Sequence, residues 1–428
     1  MIPTWGQQRG GATLSLDFIN NDNVLDSRIT FSRGSTATYY DSTGTLKSAA
    51  INVPRFDYNP STLAARGLLI EEARTNSLVQ SANFGTTWVT TSLGSVTIDA
   101  TASPSGATDA DLFNEGTATS THAATQTIST TAAATYTISC FLKNISRQWI
   151  GLAVSTTTTA YASAKFDILN GVLGNTSAAG AGYSIVSSSI TALPSGWYRC
   201  SLTFVAGSTS ASAVARIFMA TDGTTFTASN AGMESYTGTS KQIYAWGAQF
   251  ELGAFATSYI PTTTATVTRS ADLATMTGAN LSSWYNQSQG TFVTQVVWEG
   301  LRSVASQRIY ALDDGSTANV SNQSATSANA LISTITAASS TEVNTQTPAI
   351  TFVANTVYKI SIAYATNNTV AAANGTIGTT DTVCVMPSTL SNFRFAGTTT
   401  TAVSNIWFAS LNYYPTRLPD STLQALTT

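Results

Sequence analysis

Tyr136-Thr-Ile-Ser-Cys-Phe-Leu-Lys143 decides the fold class. Tyr136, Ile138, Cys140 and Leu142 fall on one side of an extended chain, and Thr137, Ser139, Phe141 and Lys143 on the other. Alternation of period two predicts a half-buried β-strand. The pattern returns in Trp197 to Phe204, where Tyr198, Cys200, Leu202 and Phe204 oppose Arg199, Ser201 and Thr203. It returns again in Ile243 to Leu252, which puts Tyr244, Trp246, Ala248, Phe250 and Leu252 together. Thr291 to Trp298 and Val357 to Tyr364 extend it toward the C-terminus. Long stretches of helical period are lacking. Only Pro419-Asp-Ser-Thr-Leu-Gln-Ala-Leu426, with Pro and Asp in its first turn, predicts one or two turns of helix.

Many short strands separated by Gly, Asn, Ser and Pro turns predict an all-β chain of sandwiches or jelly rolls, not α/β units. At 428 residues the chain is long enough for two or three modules. Residues 1–75 hold Arg-bearing turn motifs and few clean alternations, and read as an extended N-terminal arm for attachment or a small wrapped subdomain. Residues 76–268 read as a first sandwich, closed by the Thr-rich stretch Tyr259 to Thr268. Residues 269–289 read as a linker and 290–428 as a second sandwich.

Composition narrows the function. Only 10% of residues are charged, whereas Ser and Thr make up roughly 29%, about twice the usual share. With 43% hydrophobic residues the chain folds rather than staying disordered. A formal charge of −3 provides no electrostatic footprint for nucleic acid or anionic lipid. Met1 to Gly10 lacks a signal-peptide pattern, and no window of the chain is apolar enough to predict membrane insertion. The three cysteines, Cys140, Cys200 and Cys384, imply no disulfide framework, and Cys140 and Cys200 read as small core residues. A hydroxyl-rich, charge-poor surface suits a protein assembled in a cytoplasm and then exposed outside it.

Several strings resemble tailed-bacteriophage virion proteins of the fibre, spike and decoration type. The most specific are Phe31-Ser-Arg-Gly-Ser-Thr-Ala-Thr-Tyr39, Pro54-Arg-Phe-Asp-Tyr-Asn-Pro60 and Arg66-Gly-Leu-Leu-Ile-Glu-Glu-Ala-Arg-Thr-Asn76. Phe166 to Val172, Gly196-Trp-Tyr-Arg-Cys200, Tyr244-Ala-Trp-Gly-Ala-Gln-Phe-Glu251 and Phe255 to Pro261 are similar to a carbohydrate-binding-module-like jelly roll. Tyr413 to Leu426 is similar to the last strand and short helix of concanavalin-like (laminin-G-like) sandwiches. The resemblance implies a structural, non-enzymatic protein at the virion surface, a fibre or spike presenting sandwiches to host glycan. The alternative it implies is a capsid or tail decoration protein that cements neighbours without a ligand. It also implies capsid, tail or baseplate subunits as partners and a homo-oligomer, often a trimer.

Within the arm, Phe56 and Tyr58 would anchor on a core, while Arg55, Arg66 and Arg74 have Asp57, Glu71 and Glu72 available as ion-pair partners. Catalytic chemistry finds little support. His122 is the only histidine, which removes two-histidine metal sites. Neither a phosphate loop nor the tight acidic strand of concanavalin-like hydrolases occurs. A polysaccharide-degrading enzyme would need two facing carboxylates, for which Glu115, Glu234, Glu251 and Glu299 are the residues to inspect. No cofactor and no metal site is expected; a structural calcium, common in the resembled modules, has only the oxygen-rich Asn20 to Asp26 cluster to recommend it, which ordinary turn chemistry explains. Sugar binding would use aromatic faces beside polar groups. Trp197, Trp246, Trp298 and Trp407 sit in strand patterns and read as core; Trp149, Tyr236, Trp284 and Tyr285 lie in more polar context and are the glycan candidates.

Overall fold

The computed structural model describes residues 11–180, 182–302, 307–345, 348–397 and 404–428. The Met1 to Gly10 segment lies outside them.

The chain is nearly all antiparallel β-structure arranged as two sandwiches. The jelly roll has two six-stranded sheets. One runs Ser184–Ala192, Trp197–Val205, Thr135–Asn144, Gln242–Leu252, Thr108–Glu115, Leu93–Ala102, and the other Val172–Ala179, Tyr161–Asp167, Trp149–Ser155, Ala211–Ala220, His122–Thr130, Val89–Thr91. Between them lie Ile138, Cys140, Leu152, Phe166, Leu202, Ile217 and Phe250, all buried. Cys140 stands opposite Cys200 across neighbouring strands, yet both thiols are free, and burial raises their pKa.

Residues 11–75 are not an extended arm. Leu14–Asp17 pairs with the C-terminal half of Ile406–Tyr414, and Ala65–Ile70 with its N-terminal half, while Arg55–Tyr58 pairs with Ala65–Ile70. These N-terminal strands therefore complete a sheet that continues through Gln289–Trp298, Val357–Ala365, Val370–Ala373 and Thr376–Ile377. Thr30–Ser32 likewise begins the facing sheet, next to Leu273–Thr277. Leu14, Leu16, Phe18, Phe56, Leu68 and Ile70 share one core with Phe292, Trp298, Tyr310 and Phe408. The stretch 269–289 is no linker either: it supplies the strand Leu273–Thr277, the single turn Ala279–Ser282 and the buried Trp284.

The jelly roll is thus inserted into the second sandwich. The chain leaves through Arg74–Asn76 and returns through Val267–Arg269, and these two stems pair with each other. Such an insertion needs only that its two ends lie close together.

One strand differs from its sequence pattern, and the terminal helix agrees with its own. The strand Thr135–Asn144 is buried on both faces rather than one. Its outer face is covered by Tyr259, Trp246 and Trp197, with Leu46 reaching over from the N-terminal hairpin Ala37–Tyr40/Leu46–Ala49. The terminal helix forms over Asp420–Thr427, and its Leu423 packs on Ala363, Val370 and Ala372.

Leu68 is fully enclosed in a strand that separation along the chain makes easy to overlook. Leu68→Ala is expected to destabilise the protein by about 2–5 kcal/mol, read as a lowered thermal midpoint. Val24→Ala, at a side chain 66% exposed, leaves the midpoint unchanged.

Candidate functional site

Alternation along Trp197–Val205 turns Cys200, Leu202 and Phe204 into the jelly-roll core and leaves Arg199, Ser201 and Thr203 on the opposite face. That polar face does not meet bulk solvent. Together with Ser187, Ser189 and Thr191 of the neighbouring edge strand it forms one wall of a cleft of about 550 Å³ between the two sandwiches. Tyr39, Tyr40 and Leu46 come from the N-terminal hairpin, and Asp57, Arg66 and Trp407 from the second sandwich. Phe255, Glu299, Leu301, Asn329, Val353 and Asn355 line the remainder. Gly300 is needed for the close approach of Phe255, because a Cβ there would stand 2.1 Å from its ring.

Arg66 lies over the Trp407 ring, 4.2 Å from guanidinium carbon to centroid, a cation–π geometry that holds the charge flat against the cleft. Trp407 itself is buried and its Nε1 donates to Asp57 Oδ2 at 2.9 Å. Asp57 Oδ1 accepts from the Tyr40 amide at 2.7 Å, and Arg66 Nη1 stands 3.9 Å from Oδ2. Burial nonetheless pushes the Asp57 carboxyl up to about 6. Burial also raises the Tyr40 hydroxyl, to about 12, with Arg199, Asp57, Arg66 and Glu299 all near enough to act on it.

Beneath the cleft runs a cluster of buried charges. Arg55 Nη1 donates to Glu71 Oε2 at 2.5 Å and to Ser258 Oγ at 2.9 Å, and Arg55 Nη2 donates to Asp272. Arg269 Nη1 lies 2.8 Å from Glu71 Oε2, and Arg33 Nη1 lies 3.0 Å from Asp272 Oδ1. Although burial alone would raise it, Glu71 is held below the usual carboxylate range by Arg269 and Arg55. Glu299 is the opposite case: burial first, then the Glu71 charge, raises its pKa well above the ordinary value. Its Oε2 is buried with no hydrogen-bond donor.

The residues singled out from sequence divide sharply. Arg55 meets Glu71, Arg74 meets Glu72, and Arg66 faces Asp57. Phe56 is buried in the second core and Tyr58 is half-buried. Trp284 and Tyr285 present no ring to a glycan: Trp284 is buried with Nε1 donating to Asn280 O at 2.6 Å, and Tyr285 packs on the same core. The polar residues around them belong to turns that cover this core. Trp149 is wedged against Gly223, and Tyr236 donates to Glu115 Oε1 at 2.5 Å beneath Arg147. Neither lines the cleft. Of the four acids to inspect, Glu115 and Glu251 are buried among donors, Glu234 is held by Thr221, and only Glu299 reaches the cleft. Asn20 to Asp26 forms turns in which Asp22 and Asn23 adopt left-handed backbone. Among the described residues no group of three or more His, Cys, Asp or Glu side chains is placed to hold a metal ion.

No family model matches the chain, and no curated protein matches it. Among solved structures it is similar to Ruminococcus gnavus IT-sialidase CBM40, at 16% identity over 33% of this chain and 84% of that one, with a TM-score of 0.28. Trypanosoma rangeli sialidase shares 11% identity over 74% of this chain and 60% of that one, with a TM-score of 0.30. Domain 4 of AbnA, an extracellular arabinanase from Geobacillus stearothermophilus, shares 11% over 41% of this chain and 84% of that one, at 0.26. No residue of this chain is assigned a role from them.

The two raised carboxyls make stability depend on pH. A carboxyl whose folded pKa is raised favours the folded chain below its free value and loses that advantage as pH rises through the folded one. For Asp57, from 3.8 to about 6, this amounts to on the order of 3 kcal/mol lost between those pH values. Glu299 acts in the same direction. Glu299→Gln is therefore expected to melt with the native protein near pH 4 and above it at pH 8. A variant that melts below the native protein at pH 8 overturns this assignment.

Proposed function

We propose that the chain is a non-enzymatic structural protein of a tailed-phage particle, a fibre or spike at the virion surface, whose cleft between the sandwiches binds glycan. The observation that carries the binding reading is the cleft itself. Its volume, about 550 Å³, falls within the roughly 300–1,000 Å³ of ligand sites. Its lining combines hydroxyls of Ser187, Ser189, Ser201 and Thr203 with the aromatic rings of Tyr39, Tyr40 and Phe255 and the guanidiniums of Arg66 and Arg199. Sugars present the complementary surface: apolar C–H faces for rings and hydroxyls for polar side chains. The particle setting rests on the resemblance of the strings in residues 31–76 and on the hydroxyl-rich composition. Homo-oligomeric assembly and attachment to capsid, tail or baseplate subunits belong to the same proposal.

One observation favours a second reading, polysaccharide cleavage: Asp57 and Glu299 line the same cleft and both have raised pKa values. Against it, each Asp57 oxygen already accepts a hydrogen bond, from Tyr40 or Trp407. Cleavage predicts new reducing ends from a bound polysaccharide, lost in both Asp57→Asn and Glu299→Gln. The binding reading predicts none.

Ser187 is exposed, so a bulky residue there fills the cleft without burdening the core. Ser187→Trp is expected to weaken oligosaccharide binding at least tenfold in calorimetry or on a glycan array, with the thermal midpoint unchanged. Trp149→Ala should leave affinity unaltered. No binding to any glycan, with tight association to capsid or tail subunits instead, would replace the fibre reading by decoration or cement.

A further inference from the structure

We propose that the cleft is built for an acidic sugar, with Arg199 as the anchor for its carboxylate and Arg66 as a second cation from the other sandwich. The inference rests on the cleft being a glycan site and adds the chemical class of the ligand.

Arg199 lies mid-strand in Trp197–Val205, its guanidinium carbon 5.2 Å from the centroid of the Phe141 ring. Among the described residues its one hydrogen bond to a side chain runs from Nη2 to Ser139 Oγ at 3.2 Å, a neutral acceptor, and its buried Nε has no partner. Among the described residues no carboxylate lies within ion-pair distance of it, in contrast to Arg33, Arg55, Arg74, Arg147 and Arg269. A guanidinium that is half-buried and lacks a counter-charge is a cost to the fold unless something else answers it.

The second cation is similarly underused. Besides the Trp407 ring, the one carboxylate Arg66 reaches among the described residues is Asp57, at 3.9 Å, whose oxygens accept from Tyr40 and Trp407. The acids in the cleft do not cancel the two arginines. Glu299 faces Glu71, which is engaged with Arg55 and Arg269, and its raised pKa keeps it neutral over a wider range than an ordinary carboxyl. The cleft therefore offers one planar donor fork without a carboxylate, Arg199, and a second, Arg66, held only by a long contact to Asp57, beside a ladder of serine and threonine hydroxyls. A planar carboxylate accepts two parallel N–H bonds from such a fork, and the sugar hydroxyls meet Ser189 and Ser201.

The test uses the full chain and matched oligosaccharide pairs that differ only at the acidic group: oligogalacturonate against its methyl ester, and a sialylated lactose against lactose. The expected result is affinity at least tenfold higher for the acidic member of one pair. Arg199→Gln should erase that preference, its affinity for the acidic member falling to that for the neutral one, and Arg199→Lys should recover part of it. Equal affinity for both members, or a preference that survives Arg199→Gln, overturns the assignment of acidic sugar and leaves the glycan cleft standing. No binding by any member, acidic or neutral, overturns both. A native thermal midpoint for Arg199→Gln separates loss of recognition from loss of fold.

Discussion

The buried cluster of Arg33, Arg55, Arg269, Glu71 and Asp272 is the constraint on which the rest of the architecture depends. Its members come from the N-terminal strands and from the segment just after the inserted jelly roll, and Ser258 joins it from the segment that closes that jelly roll. None of these five charged side chains is more than marginally exposed. Removing one partner from such a cluster typically costs about 3–5 kcal/mol because the remaining charge is stranded in the interior. The value of the cluster lies in specificity: the observed placement of the entry stem against the exit stem brings each of the three guanidiniums onto a carboxylate. Leu68, Leu69 and Ile70 could pack under many sheets, but Glu71, which follows them directly, can be neutralised in only one place.

Strand identity was legible because it is local. The runs around Tyr136, Trp197, Tyr244, Phe292 and Tyr358 all became strands with nearly the bounds their alternation predicts, and the helix start expected at Pro419 opens the last helix. Domain organisation was not, because it depends on pairings across most of the chain. Leu14 stands opposite Tyr413, and Arg74 opposite Arg269. The N-terminal strands are only three to six residues long, too short for alternation to declare itself. A segment of short strands and Arg-rich turns therefore looks like an arm until its partners are known.

The site was legible by halves for the same reason. The polar face of Arg199, Ser201 and Thr203 is plain in the sequence, and its natural reading is a solvated face. Nothing local says that Tyr39, Arg66 and Trp407 stand across from it. The aromatic candidates failed in the converse way. Trp284 and Tyr285 are followed by Asn, Gln and Ser, which suggests exposure, but those residues are the lid of a core: Asn286 and Gln287 are bonded to Pro415 and Leu390. Polar neighbours in sequence report the turn, whereas the ring follows the packing.

The insertion also bears on how a cleft between two domains can bind anything well. A jelly roll tethered at one end would leave its partner wall free to swing, and ordering it would be charged against every ligand. Here the tether is double, through the paired stems at 74–76 and 267–269. The walls are further joined away from the stems. Leu46 donates its amide to Pro104 O at 2.9 Å and packs on Trp197, Thr38 Oγ1 donates to Tyr259 O at 2.6 Å, and Ser61 Oγ donates to Ala192 O at 2.5 Å. The N-terminal hairpin is thus a strut between the sandwiches, and it carries Tyr39 and Tyr40 into the cleft as it crosses. Because the same short segment braces the walls and lines the space between them, the geometry of the cleft is set when the fold is made and need not be assembled by the ligand.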